Sequence, residues 1–438
     1  MSRKITDRIE FTKEMKKDYT ILFPNMLPIH FELIRRSFAF EGYKIEMMTD
    51  TDREIVNEGL RDVHNDTCYP ALLVIGQLIH ALKSGRYDVH KTALLITQTG
   101  GGCRASNYIH LLRKALVKVG LEFVPVISLN VSGLEKNSGF RLSIPLVRKM
   151  LNSVMYGDMI VHLANQVRPY ELVSGETDRT VAKWLDRLSG EFDRGGKYLR
   201  YRHVLDNCEE IVSDFEAIPI LPQPRVRVGV VGEIYIKFAP LGNNNLEEFL
   251  ASEGAEVIVP GLMDFCTFKV DNRLEDIKLY GGKKIKYIAV SFLKKIIIKA
   301  QDDMIDILTR HPRFRKIARF EENKALVADY MGYGNKMGEG WLLTAEMLEL
   351  IHSGTTNIVC AQPFGCLPNH IAGKGMIRRI KDNHPEANIV AIDYDPGATR
   401  INQENRIKLM LSTAKRRLDQ QSSPAIPEKT DRKEPVTL

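Results

Sequence analysis

The chain has 438 residues, 44% of them hydrophobic, and carries a net charge of +7 from 62 Lys and Arg against 55 Asp and Glu. That length exceeds one ordinary core and predicts two domains of about 200 residues each. The charge surplus is spread out with no Lys/Arg block, which argues against a nucleic-acid arm, and no apolar run reaches the length of a membrane span. The charged opening MSRKITDRIEFTKEMKKDY lacks the apolar stretch of a secretory signal. A cytoplasmic protein is expected, with neither nucleic acid nor membrane as partner. The mild positive excess would suit a phosphorylated substrate or an acidic protein.

Behind a charged lead-in over 1–17, YTILFPNMLPIH predicts a buried strand and a turn, FELIRRSFAFEG a helix ending at Gly42, and YKIEMM a second strand. Pro70 opens a helix in which Ala71, Leu72, Val74, Ile75, Leu78, Ile79 and Leu82 make an i, i+3, i+4 stripe ending near Gly85. TALLITQTG reads as a strand, YIHLLRKALVKVG as a helix stopped by Gly120, and VPVISLNVSG as another strand. Strands alternating with helices predict a parallel sheet with helices on both faces. Residues 145–217 carry helical periodicity, and the proline-rich LPQPRVRVG is the candidate linker. VRVGVVGEIYIKF restarts the alternation. A helix over NLEEFLASEG, the strand AEVIVPG, helices over 271–352, the strand TNIVCAQPFG, a helix beyond Pro368, the strand NIVAIDYD and a helix over 399–418 follow. The expected organisation is an α/β domain with a helical extension over 18–221, a second α/β domain over 222–418, and a polar tail over 419–438 expected to be disordered. The two halves repeat loosely in organisation, without a residue-level repeat.

Six cysteines, Cys68, Cys103, Cys208, Cys266, Cys360 and Cys366, leave thiolate chemistry, metal ligation and plain burial open in a reducing compartment. In open α/β sheets, sites form beyond the carboxyl ends of strands, where loops lead into helix N-termini. Cys103, in TQTGGGCRASNYIH, follows a strand; Cys360 ends one; Cys366 lies in the loop after it; Cys68 immediately precedes the helix opened by Pro70. Unpaired N–H groups at a helix start stabilise a thiolate and an anionic cluster alike. Cys208, in a helical stretch, and Cys266, among aromatics, read as small buried hydrophobes. No C-x2-C pair exists, which argues against a zinc ribbon, and the ferredoxin spacing is absent. Spacing alone leaves both a cluster gathered from dispersed loops and a set of buried thiols open. Gly100, Gly101 and Gly102 match neither the dinucleotide fingerprint nor the P-loop ending. Such glycines let backbone approach a bulky ligand and turn N–H groups toward it. No local His–Asn pattern supports Cys103 as a nucleophile.

NDTCYPALLVIGQLIHALKSGRYD, TQTGGGCRASNYIHLLRKAL, VGVVGEIYIKF and CAQPFGCLPNHIAGKGMIRRI together resemble the 2-hydroxyacyl-CoA dehydratase superfamily, of the 2-hydroxyglutaryl-CoA dehydratase D-component type. The likeness runs from about residue 18 to residue 412 and is nearest to members associated with BadF/BadG-type ATPase activators. It implies two Rossmann-like domains with a 4Fe-4S cluster between them. Carried over by position, Cys68, Cys103 and Cys360 match the family's cluster ligands, with Cys366 a candidate fourth. The implied activity is elimination of water from a 2-hydroxyacyl-CoA through a ketyl radical. It follows one-electron reduction by an ATP-hydrolysing activator that carries its own iron–sulfur cluster. A homologous second subunit or a homodimer is a further implied partner. The same superfamily includes ATP-dependent low-potential reductases with a double-cubane 8Fe-9S cluster, which would take six thiolates. A non-catalytic electron-relay or assembly subunit is the third reading.

Beside such a cluster the resemblance places Gly101, Gly102 and Arg104, the arginine either offsetting cluster charge or facing solvent at a helix start. Glu233, at a strand end, would orient a ligand or bind a helix N-terminus. Asn369, His370 and Lys374 follow Cys366. His370 would donate a proton to departing hydroxide, or simply face solvent at a capped helix start. Asp393 and Asp395 would act as acid and base, or form a turn with Pro396 and Gly397.

Overall fold

The computed structural model describes residues 8–64, 66–98, 101–130, 135–221 and 223–422. Its strands form two four-stranded sheets in which every pairing is parallel. In the first, β1 (Thr20–Pro24), β2 (Lys44–Met48), β3 (Thr92–Thr97) and β4 (Val126–Leu129) lie in the order β2-β1-β3-β4. In the second, β5 (Arg227–Gly232), β6 (Glu256–Ile258), β7 (Asn357–Pro363) and β8 (Asn388–Tyr394) lie in the order β6-β5-β7-β8. Counted within each half, the two orders are identical. The chain is therefore two Rossmann-like units, and each reverses direction between its first and third strands. Such a reversal opens a crevice beyond the strands' carboxyl ends.

The helix expected after Pro70 forms over Tyr69–Lys83, yet it is buried on every side rather than along one stripe: thirteen of its fifteen residues are buried. It packs in one core with Leu22 and Leu94 of the first sheet and Val228, Val230 and Val359 of the second. A helix apolar all round must be enclosed, and here both units supply the enclosure.

Residues 145–217 form the helices Ile144–Val167, Glu176–Arg194 and Tyr201–Glu216, with a core of their own around Trp184 and Phe215. A second helical insertion, between β6 and β7, comprises Leu262–Tyr280, Lys284–Thr309, Phe320–Leu326 and Leu342–His352. Its first helix starts earlier than the sequence predicts. Asp158, from the first insertion, accepts the N–H groups of Leu262 (2.8 Å) and Met263 (2.7 Å), satisfying the helix start from a distant part of the chain.

Other differences have similar local causes. A helix over Arg53–Asp62 was not expected. The helix expected beyond Pro368 is broken into a π-turn (Asn369–Gly373), a 3-10 turn (Lys374–Met376) and a short α-helix (Ile377–Asn383). Thr344 Oγ1 donates to the Ala372 carbonyl (2.6 Å), and so engages the helical ladder from outside. The lead-in is partly built into the fold: Phe11 is fully buried and its N–H donates to Asn137 Oδ1 (3.1 Å). The last helix runs over Arg400–Ser422, past its expected end; the rest of the tail, like Pro222 of the linker, lies outside the described residues. Among the described residues no helix is long and apolar enough to cross a membrane.

Candidate functional site

The loop leaving the third strand of each unit carries a Gly-Cys pair, Gly102-Cys103 after β3 and Gly365-Cys366 after β7. A third thiol, Cys68, is the N-cap residue of the helix Tyr69–Lys83. That helix start is tied to the second unit, since the Tyr69 N–H donates to the Phe364 carbonyl (2.9 Å). Gly365 beside it has φ +73°, and a Cβ there would come within 3.1 Å of Cys68 Cα and of the Thr67 carbonyl oxygen. Only glycine meets both conditions without strain. Backbone contact between the units thus brings Cys68 to Cys366.

Cys68 Sγ lies 2.9 Å from Tyr108 Oη. Burial pushes the Cys68 thiol up to about 11; the tyrosine opposes the shift, whereas Glu233 and Cys103 reinforce it. Cys103 is half-buried, and burial raises its thiol as well, reinforced by Glu339 and Glu233 and opposed by Lys269. The Cys366 thiol is raised furthest, by burial and then by Glu233, Glu339 and Cys68. Glu233 thus bears on all three thiols, and Glu339 on Cys103 and Cys366.

Glu233 takes the helix-capping role: its carboxylate accepts the Ile236 N–H (2.9 Å) at the start of Ile234–Phe238. Burial, then the neighbouring Glu339, raises its carboxyl to about 8. Glu339, which sequence reasoning missed, is buried and accepts the Ile234 N–H (3.1 Å). It precedes the helix leading into β7, just as Cys68 precedes the helix leading into β3. Lys269, also missed, donates to the Gly338 carbonyl. Both belong to the segment between β6 and β7 and reach the crevice only through packing; the one local signal is an acid flanked by two glycines ahead of a helix.

Cys360 does not join this group, which corrects the expectation that it stands with Cys68 and Cys103. Side chains alternate along β7. Val359 and Ala361 face the core shared by the two units, whereas Ile358 and Cys360 pack on the other face with Met347, Leu348 and Ile380. Cys360 Sγ lies 3.9 Å from Asn369 Oδ1, and burial raises its thiol to about 12. Cys208 sits fully buried in the first helical insertion, as its sequence context predicts. Cys266 is half-buried against Leu27, Phe238 and Leu262.

The other candidates divide. Gly101 N–H donates to Ser106 Oγ (2.9 Å), so it serves the turn, and Gly100 lies outside the described residues. At Gly102 a Cβ would come within 2.5 Å of Met337 Sδ; this glycine admits a close approach of the two units. Arg104 faces solvent at the start of a short 3-10 turn. His370 is exposed, with Nδ1 2.7 Å from the Cys366 carbonyl oxygen. Lys374 lies 3.3 Å from Asp393. Asp395 takes the turn role, accepting the N–H groups of Gly397 (2.7 Å) and Ala398 (2.9 Å). Neither a cavity of about 400 Å³ beside Tyr170, Arg227 and Arg315 nor one of about 60 Å³ between His30, Asp158, Asp264 and Glu346 touches a thiol.

The donor set bears on what could be held here. Glu233 bears on three thiols, Glu339 on two of them, and Lys269 is the cation that acts on Cys103. Left to themselves the thiols stay protonated, and a cationic centre would reverse this by taking them as thiolates. Among the described residues no three His, Cys, Asp or Glu are gathered to hold one metal ion. A tetrahedral site needs its sulfurs within roughly 4 Å of one another. Thiols are the soft donors that soft metal ions and iron–sulfur groups take. No family model matches the chain, and no curated protein matches it.

Proposed function

We propose that the chain is an iron–sulfur protein of the 2-hydroxyacyl-CoA dehydratase type, with its cluster held between the two Rossmann-like units by Cys68, Cys103 and Cys366. The observation that carries this reading is the backbone contact that brings Cys68 to the Cys366 loop, with Cys103 on the corresponding loop of the like-ordered sheet and Glu233 bearing on all three thiols. The group would supply one-electron reduction and, with three protein ligands, an open iron for a substrate oxygen. The chain's own residues set the conditions. Tyr108 holds the Cys68 sulfur, the Tyr69–Phe364 hydrogen bond fixes the two units against each other, and Glu233, its carboxyl pushed up by burial and by Glu339, is the candidate proton donor beside the thiols. In this role Glu233 replaces His370, which faces solvent. The reading requires an ATP-hydrolysing activator as electron donor and a 2-hydroxyacyl-CoA as substrate. A double cubane bound by six thiolates of one chain has less support, because Cys208 and Cys360 lie in separate cores.

Metal analysis of anaerobically purified protein tests this. Roughly four irons per chain are expected. Cys68→Ser, Cys103→Ser and Cys366→Ser should each lose the brown colour and most of the iron, whereas Cys208→Ser and Cys360→Ser should keep both. Full iron content in Cys103→Ser, or a loss confined to Cys360→Ser, would refute the assignment.

A further inference from the structure

The second helical insertion carries a surface that the rest of the fold leaves uncovered. The helices Leu262–Tyr280 and Lys284–Thr309 form a hairpin whose tip and first ascending turns stand in solvent. Tyr280 is 75% exposed, Ile285 82%, Ile288 67%, Phe292 66% and Ile296 52%, with Leu279 and Leu293 beside them. From Ile285 the spacing is three, four and four residues, which puts these side chains on one helix face. Together they leave roughly 800 Å² of apolar side chain in water, allowing about 180 Å² for each chain when fully exposed. A monomer's largest patch is usually smaller, about 300–600 Å².

Within the segment that carries this face the charges are of one sign. Residues 277–300 include seven Lys and no Asp, Glu or Arg. Lys278 is paired with Glu275, Lys294 with Asp271 and Glu321, and Lys299 with Asp303. Lys283, Lys284, Lys286 and Lys295 make no ion pair among the described residues, and at 100° per residue Lys284, Lys286 and Lys295 flank the apolar stripe.

We propose that this hairpin lays its apolar face on an anionic phospholipid surface. Two copies packed face to face would crowd their unpaired lysines together, so like charge opposes a second copy as occupant. Protein interfaces favour arginine and are depleted in lysine, and here every cation is lysine. Interfacial helices have the observed arrangement, with apolar and aromatic side chains sunk to the headgroup level and lysine stems reaching back to phosphate. Tyr280 and Phe292 supply the aromatics. The contact is adsorption and not a span. It departs from the expectation of no membrane partner, which rested on the lack of a spanning run. It is independent of the proposed cluster.

Flotation of the full chain with phosphatidylcholine vesicles containing roughly one-third phosphatidylglycerol tests it, with pure phosphatidylcholine alongside. Binding to the anionic vesicles only is expected, with release in about 0.5 M salt. The pairs Ile288→Ser with Phe292→Ser, and Lys284→Glu with Lys286→Glu, should each weaken partitioning about tenfold or more while the circular dichroism stays that of the parent. In Tyr280→Trp the new indole should shift to the blue on binding; Trp184 and Trp341 are fully buried and supply a constant background. Failure to float with anionic vesicles overturns the proposal. So does flotation of Tyr280→Trp with no shift in the indole emission, which would assign binding to another surface, and so does a dimer in light scattering that Phe292→Ser splits.

Discussion

Cys68 Sγ and Tyr108 Oη lie 2.9 Å apart, both closed off from solvent. The contact joins the start of the enclosed helix to the start of Tyr108–Lys118, the helix behind the Cys103 turn. The hydroxyl eases the Cys68 thiol toward ionisation against burial. Tyr108→Phe should therefore raise the thiol pKa further and cost about 1 kcal/mol of stability. Peptide-resolved alkylation of iron-free protein at pH 9 should show Cys68 reacting more slowly than in the parent. An unchanged rate would mean that the hydroxyl does not govern this sulfur.

Gly365 holds the junction from the other side. Gly365→Ala places a Cβ in left-handed backbone, at about 1–2 kcal/mol, and presses it on Cys68 Cα at 3.1 Å. A lower denaturation midpoint is expected, together with faster hydrogen exchange at the Tyr69 amide, whose bond to Phe364 depends on this approach. Exchange at that amide equal to the parent's would show that the junction absorbs the methyl group elsewhere.

Cys103 is half-buried, whereas Cys68, Cys208, Cys360 and Cys366 are buried. In iron-free protein it should be alkylated ahead of those four. Lys269 holds its thiol pKa down against burial, so Lys269→Met should raise that pKa and slow the reaction at pH 8, leaving Cys208 unaffected. If Cys208 slows equally, the substitution has changed the fold and not the local field.

Stability should respond to pH through the buried acids of the second insertion. Burial raises Asp264 to about 6, even though Gln301 Nε2 donates to it at 2.6 Å and Lys237 lies near; Asp158 adds to the rise. Burial likewise raises Glu346 to about 7 against its ion pair with Lys237 at 2.9 Å. An acid whose folded pKa exceeds its unfolded value holds more protons in the fold, so stability falls as pH rises between the two. For Asp264 the window runs from about 4 to about 6, and the loss is on the order of 2–3 kcal/mol. Asp264→Asn should lessen the slope of melting temperature against pH across that window, leaving the part due to Glu346. A slope as steep as the parent's would place the titration elsewhere.

Much of this protein was legible in the residues. Apolar runs, helix stops and Pro70 were enough to place both α/β halves and the helical insertions, because period and capping are local properties of the chain. The same signals placed Cys68 and Cys103 at the edges of crevices, and Cys208 within a core. What the sequence could not decide was decided by packing between distant segments. The sequence puts Cys360 at a strand end and Cys366 in the loop after it, and the resemblance favours Cys360 as the ligand; the pleat of β7 instead turns Cys360 into the opposite core while the loop carries Cys366 to Cys68. Glu339 and Lys269 became part of the site only when the second insertion folded over the crevice. The shared strand order appeared only once the strands paired, since topology constrains direction and neighbours but not residue identity. The apolar face over Ile285–Ile296 reads in sequence only as part of the helices over 271–352. A period of 3.6 encodes which side chains share a face, and only the surrounding fold determines whether anything covers it.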